Sequence, residues 1–169
     1  MNILADTREP YPHPWERFLP DGWVIERGTL ETGDLALAAL PEAGVIERKT
    51  PSDLANCIGK GRERFERELR RGRYVGRMVV VIEGSLTDVV VAARGIHHNA
   101  VVGTLAAWTR RYCPFVFCGP ERLAADFAFR FLAGQLRGIE GRSNQGEKAR
   151  TSAAGQGNED GDRPFLESP

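Results

Sequence analysis

The chain reads as an α/β protein with a central mixed β-sheet flanked by helices, and three observations predict this. Short apolar segments bounded by Gly, Pro and Asp fill the chain up to Thr50, as strands of a meander do. A continuous β-branched run, "RMVVVIEG", has the composition of a strand buried on both faces. From Pro51 onward, segments of helical period alternate with apolar strands, which is the pattern of helices packed on a sheet.

Taken in order, Asn2–Ala5 is a short apolar run closed by "DTREP", and Pro10, Pro12, Pro14 and Pro20 keep the next stretch of chain irregular. "WVIERGTL" (Trp23–Leu30) and "GDLALAAL" (Gly33–Leu40) read as two strands joined by a turn. "GVIERKT" reads as a third, paired with the second after the Pro41–Gly44 turn. Pro51, Ser52 and Asp53 suit the first turn of a helix that turns Leu54 and Ile58 inward. "RERFERELRR" makes a second helix, with Phe65 and Leu69 inside and Glu63–Arg67 and Glu66–Arg70 pairs outside. Val101, Leu105, Trp108 and Tyr112 step at helical intervals, "PFVFC" is a further strand, and 120–136 is a last helix. From about Gly141 the composition turns to Gly, Ser, Asn, Gln, Asp and Glu. This predicts a domain over 1–138 and a disordered polar tail over 139–169.

The bulk properties exclude several classes. A chain of 169 residues, 41% hydrophobic and 27% charged, can bury a core without disulfide or metal staples. Cys57, Cys113 and Cys118 form no CxxC pair, as expected of reduced thiols in the cytoplasm. With neither a signal-type apolar stretch nor a membrane-length one, no membrane association is expected. Net charge is zero, but between Gly59 and Arg77 eight basic residues face only Glu63, Glu66 and Glu68. That local excess predicts phosphate contact through Arg62, Arg64, Arg67 and Arg71. His97 and His98 read as loop residues, and Glu83 as a solvated strand end.

The chemistry concentrates in "GVIERKTPSD". Period-2 alternation puts Glu47 and Lys49 on one side of the strand with Arg48 opposite, and the preceding hairpin can bring Asp34 beside Glu47. Two carboxylates held together call for a hard divalent cation, and Mg²⁺ takes one or two carboxylates plus water and phosphate oxygens. Lys49 is then placed to orient or deprotonate water, or to meet charge developing on phosphorus. Upstream, "ADTRE" offers Asp6 and Glu9 as further carboxylates and Arg8 as a phosphate contact. Asp53 caps its helix or holds Lys49 or Arg48.

"GDLALAALPEAGVIERKTPSD" resembles the GDXnERKXXXD signature of XPF-type structure-specific endonucleases, and "DTRE" and "GRERFERELRR…VVVIEG" resemble the same nuclease domain in the same order. The likeness runs from about Asn2 to Arg137. It implies a restriction-endonuclease-like core, Mg²⁺ with Mn²⁺ as substitute, and cleavage of flaps, forks or junctions in DNA repair or recombination. Carried over by position, Asp34 and Glu47 are metal ligands, Lys49 is catalytic, and Asp6, Arg48 and Asp53 support the site. The family's tandem helix-hairpin-helix module has no counterpart after the nuclease-like part, so the chain resembles a stand-alone bacterial or phage-like version. DNA binding would then fall to its own surface or to a separate DNA-binding partner. A homodimer is expected, with Phe127, Phe129 and Phe131 on its surface. The alternatives are a non-catalytic DNA-binding or scaffold subunit, which would typically lose the ERK charges, and a junction resolvase or restriction-type nuclease on the same metal site.

Overall fold

Six strands form one sheet in the order β2-β1-β3-β4-β5-β6 in the computed structural model, which describes residues 1–136. They are β1 (Asn2–Asp6), β2 (Val24–Gly28), β3 (Leu35–Leu37), β4 (Val45–Lys49), β5 (Met78–Ile82) and β6 (Phe115–Phe117). Five helices accompany them: α1 (Pro51–Ile58), α2 (Arg62–Gly72), α3 (Leu86–Ala92), α4 (His98–Arg111) and α5 over 121–136, with a 3-10 turn at Pro14–Phe18. The mixed sheet is as expected: β1 is antiparallel to β3 and β3 to β4, while β1–β2, β4–β5 and β5–β6 run parallel. The chain divides into Met1–Gln135 and Leu136–Pro169, and the predicted disordered tail lies outside the described residues.

The first strands correct the meander. β2 and β3 do not pair, because β1 lies between them, parallel to β2 and antiparallel to β3. The turn joining β2 and β3 therefore spans a strand instead of closing a hairpin. Only the β3–β4 hairpin forms as expected, with Leu35 opposite Ile46 and Ala36 opposite Val45.

Alternation along the strands divides the core into two faces. Ala36, Val45, Val80 and Ile82 join Leu54, Ile58, Phe65, Leu69, Val89, Val101, Leu105 and Trp108 in one apolar cluster under α1–α4. Leu35, Ile46, Val79 and Val81 have the opposite parity. They are buried outside that cluster, as are Trp15 of the 3-10 turn and Phe129 and Leu132 of α5. All five residues of β5 are buried, which is why its run is uninterruptedly apolar.

Helix starts follow their local chemistry. Thr50 caps α1 and Asp53 reaches back to the Thr50 N–H, a reciprocal box with Pro51 at the first turn. Ser85 and Asp88 repeat this box at α3, to which the sequence reading assigns nothing. The two histidines are not plain loop residues: His97 Nδ1 accepts the Asn99 N–H at 3.3 Å as the α4 cap, His98 opens that helix, and the two rings lie 4.3 Å apart.

Candidate active site at the end of β3 and β4

The site is built where β3 begins and β4 ends. Gly33 has φ +81, and a Cβ there would meet the Val45 Cβ at 2.9 Å, so the glycine before Asp34 is a backbone requirement. Asp34 is clamped on both sides: its N–H donates to the Ile46 carbonyl (2.7 Å), and its carbonyl accepts the Asp6 N–H (2.9 Å). Just past the Leu35–Ile46 pair, Asp34 comes close enough to Glu47 for its charge to act on that carboxyl, and Glu47 shares its strand face with Val45 and Lys49.

Glu47 is 1% exposed. One of its oxygens accepts from the Lys49 ammonium, and the other, Oε2, is buried with no hydrogen-bond partner. Burial and the neighbouring Asp34 charge push the Glu47 carboxyl up to about 8, although Lys49 pulls the other way. Asp34 is pushed up to about 6, again chiefly by burial. For Lys49, burial would favour the neutral amine, but the charges of Glu47 and Asp34 outweigh it and raise its pKa, so Lys49 keeps its proton. Its ammonium also lies 5.5 Å from the centre of the Phe65 ring.

Ionised together, the two facing carboxylates would outweigh the one ammonium, and a buried carboxylate oxygen is left without a partner. This all-oxygen arrangement fits a hard divalent cation better than any other group. Among the described residues, no three His, Cys, Asp or Glu side chains gather as a ready ligand set. The remaining ligands would therefore be water or substrate phosphate.

Other expected site residues take different places. Asp6 is in the row next to Asp34, but both its oxygens are engaged: Oδ1 by the Arg8 backbone N–H (2.9 Å) and guanidinium, Oδ2 by the Leu30 N–H (2.8 Å). Burial would raise its pKa, yet these bonds lower it, so Asp6 is tied into the strand ends by Arg8 and Leu30. Arg8 is correspondingly bound to Asp6, with its side chain 57% exposed. Arg48 points to the opposite face, where Glu83 holds its guanidinium at 2.7 and 3.1 Å and Glu9 lies at 3.6 Å. Only its backbone N–H meets the site, donating to Asp34 Oδ2 at 2.7 Å. Asp53 caps α1 and also lines the cleft beside Lys49.

That cleft, about 280 Å³, is lined by Lys49, Asp53, Asn56, Arg64, Phe65 and Glu68 among others. The arginines of α2 divide accordingly. Arg64 opens on the cleft, and Arg67 and Arg71 are exposed. Arg62, also exposed, is instead tied to its neighbours on the protein, bonded to Thr104 (3.1 Å), paired with Glu66 (3.2 Å) and lying over the Trp108 ring at 5.3 Å. Sequence reasoning missed Glu68 as a site residue. This half-buried carboxylate adds to the negative charge acting on both Asp34 and Glu47, and its i, i+4 spacing from Arg64 was the available signal. Glu83 was misplaced as a solvated end: it is engaged by Arg48 and by Trp15, whose indole donates to it at 2.6 Å.

Among solved structures, XPF from Aeropyrum pernix is similar at a TM-score of 0.64 and 21% identity, over 78% of this chain and 64% of that one. XPF from Aeropyrum pernix in complex with DNA is similar at 0.64 and 21%, over 80% and 65%. The match thus spans slightly less than two thirds of the archaeal chains. At this identity the likeness speaks for the fold, a sheet flanked by helices as in the XPF nuclease domain. No curated protein matches. The family model of the ERCC4 domain matches residues 5–131, most of the chain and the whole of the site, and the chain therefore belongs to the ERCC4 domain family.

Proposed function

We propose that this chain is a divalent-metal-dependent DNA endonuclease that hydrolyses phosphodiester bonds in branched DNA, such as flaps, forks or junctions, in repair or recombination. The observation that carries the reading is the Asp34–Glu47–Lys49 constellation on one sheet face, with a buried Glu47 oxygen that has no partner. Asp34 and Glu47 would hold Mg²⁺, with Mn²⁺ as a substitute, and the ion when bound supplies charge neutralisation at the scissile phosphate. Lys49 would meet charge developing on phosphorus, or orient or deprotonate the attacking water. Arg64, at the mouth of the cleft, and Arg67 and Arg71 beyond it offer contacts to the DNA backbone.

A homodimer belongs to the same proposal, since a second copy would extend the DNA-binding surface of a small domain. Its support is not a single apolar surface of three phenylalanines: Phe129 is 2% exposed against Trp15 and Trp23, while Phe127 and Phe131 stack on each other. The test of the activity is incubation with Mg²⁺ and labelled duplex, flap, fork and four-way-junction DNAs, beside the Asp34→Asn and Glu47→Gln variants. Cleavage of branched forms that both substitutions abolish is expected. Full activity in Glu47→Gln would refute the metal-site assignment.

A further inference from the structure

Arg48 lies between two residues of the site, yet its side chain is anchored on the other face of the sheet. Glu83 Oε1 accepts two bonds, from Trp15 Nε1 at 2.6 Å and Arg48 Nε at 2.7 Å, and Glu83 Oε2 accepts a third from Arg48 at 3.1 Å. The Arg48 and Glu83 side chains are 16% and 10% exposed, so this is a desolvated, two-pronged pair and not a surface contact. Trp15 is fully buried, with its ring edge-on to His13 and Phe129, and its backbone N–H donates to His13 Nδ1 at 3.1 Å. The guanidinium carbon lies 5.7 Å from the centre of the indole ring. Packing alone would be satisfied by a phenyl ring; an indole whose N–H meets the carboxylate holding Arg48 does more.

The ladder between β3 and β4 extends only to the Leu35–Ile46 pair. Beyond it, the Arg48 N–H has no strand partner on that side and donates to Asp34 Oδ2, the one hydrogen bond to the Asp34 carboxylate among the described residues. The direction of the Arg48 peptide thus sets where the Asp34 oxygens lie. β5 holds this stretch of β4 from one side, with Arg48 opposite Val81 and the Glu83 N–H bonded to the Lys49 carbonyl one residue on at 2.9 Å, and the anchored guanidinium holds Arg48 from behind.

We propose that Trp15 and Glu83 are positioning residues for Asp34, acting through Arg48: the indole fixes the Glu83 carboxylate, Glu83 fixes the guanidinium, and the Arg48 N–H fixes the carboxylate that faces Glu47. The proposal rests on the reading of Asp34 and Glu47 as a divalent-cation site. It assigns the proline-rich segment before β2 a role in metal affinity that its distance along the chain from the ERK triplet hides.

The test is calorimetric titration of Mn²⁺ into the metal-free full chain, beside a thermal melt, for Trp15→Phe, Glu83→Gln and the double variant. Trp15→Phe keeps an aromatic side chain but loses the N–H donor together with the pyrrole half of the indole, so Glu83→Gln, which leaves the buried Trp15 ring untouched, is the cleaner of the two. Each single variant is expected to bind Mn²⁺ about tenfold more weakly, as groups that orient metal ligands typically do. The double variant is expected to be no weaker than the worse single one, because both act through one contact. Unchanged affinity with a lowered melting temperature, or fully additive losses, overturns the relay and leaves Trp15 and Glu83 as packing. Should Trp15→Phe fail to fold, Glu83→Gln alone decides by the same affinity criterion. An unaltered chain that binds no Mn²⁺ would remove the cation site and the proposal with it, whereas normal binding that neither substitution weakens overturns the relay alone.

Discussion

Replacing Glu47 with Gln should change how the stability of the metal-free protein depends on pH, and the sign is opposite to that of an ordinary carboxylate. Glu47 has a usual value of 4.5 and is pushed up to about 8 in the fold, with Asp34 moved from 3.8 to about 6 beside it. Between these limits the folded chain holds protons that the unfolded chain has released, so stability is whole at acid pH and falls as pH rises toward 8. One such proton corresponds to a slope of about 1.4 kcal/mol per pH unit. The two carboxylates titrate as a pair, so between pH 6 and 8, where Glu47 dominates, the loss is roughly 2–3 kcal/mol. That is a fall of roughly 6–12 °C in melting temperature for a domain of this size. Glu47→Gln should flatten most of this slope, and saturating Mg²⁺ should reverse it, raising the melting temperature more at pH 8 than at pH 6. The assay is thermal unfolding in chelator at several pH values for both chains. Lowered carboxylates such as Asp6 act at more acid pH and the raised Cys57 and Cys113 thiols act above this window, and both cancel in the comparison. Parallel curves for the two chains would refute the claim that Glu47 is a buried carboxyl held by burial and Asp34.

Lys49→Ala should slow single-turnover cleavage by about two to three orders of magnitude, as loss of one preorganised transition-state donor does. It should leave Mn²⁺ affinity equal or higher, because the ammonium that pairs with Glu47 is gone; weaker Mn²⁺ binding would argue for a structural lysine. Replacing Arg64, Arg67 and Arg71 together should weaken DNA binding and flatten its salt dependence, with an unchanged slope reducing them to a solvated face. Arg62→Ala should act mainly on stability, lowering the melting temperature through lost contacts with Trp108, Thr104 and Glu66, while DNA affinity stays close to that of the parent. Light scattering at micromolar concentration should give the mass of two chains, and a monomer mass would remove the homodimer.

What the sequence made legible depended on how local its cause is. β5 announces itself because burial on both faces leaves no place for a polar residue, and α1 because Pro51 and Asp53 are helix-start chemistry in themselves. The insertion of β1 between β2 and β3 was hidden: strand order is decided by which edges meet across the whole sheet, and the expectation that sequential strands pair failed here. α3 was hidden for a different reason. Its Ser85–Asp88 box is plain, but the adjoining Val89–Val91 run is β-branched and argues locally against a helix. In the site, alternation sufficed to separate Arg48 from Glu47 and Lys49. Nothing local told that Asp6 would be occupied by Arg8 and Leu30, or that Arg62 would be tied to Thr104 of α4 while Arg64 opened on the cleft. Those outcomes depend on groups far along the chain.

Three consecutive charged residues on β4 that serve two different faces make the length of a turn part of the candidate site. Sliding β4 by one residue against β3 would deliver Arg48 to the cleft and send Glu47 and Lys49 beneath α5, with every side chain intact and the chemistry gone. A single-residue insertion or deletion between Leu37 and Val45 invites that slip, whereas a two-residue change keeps each side chain on its own face and only displaces Glu47 from Asp34 along the row. The spacing between "GD" and "ERK" therefore carries parity as well as distance. In libraries that vary this connection, survivors should differ from the parent by even numbers of residues, unless a bulge absorbs the odd one.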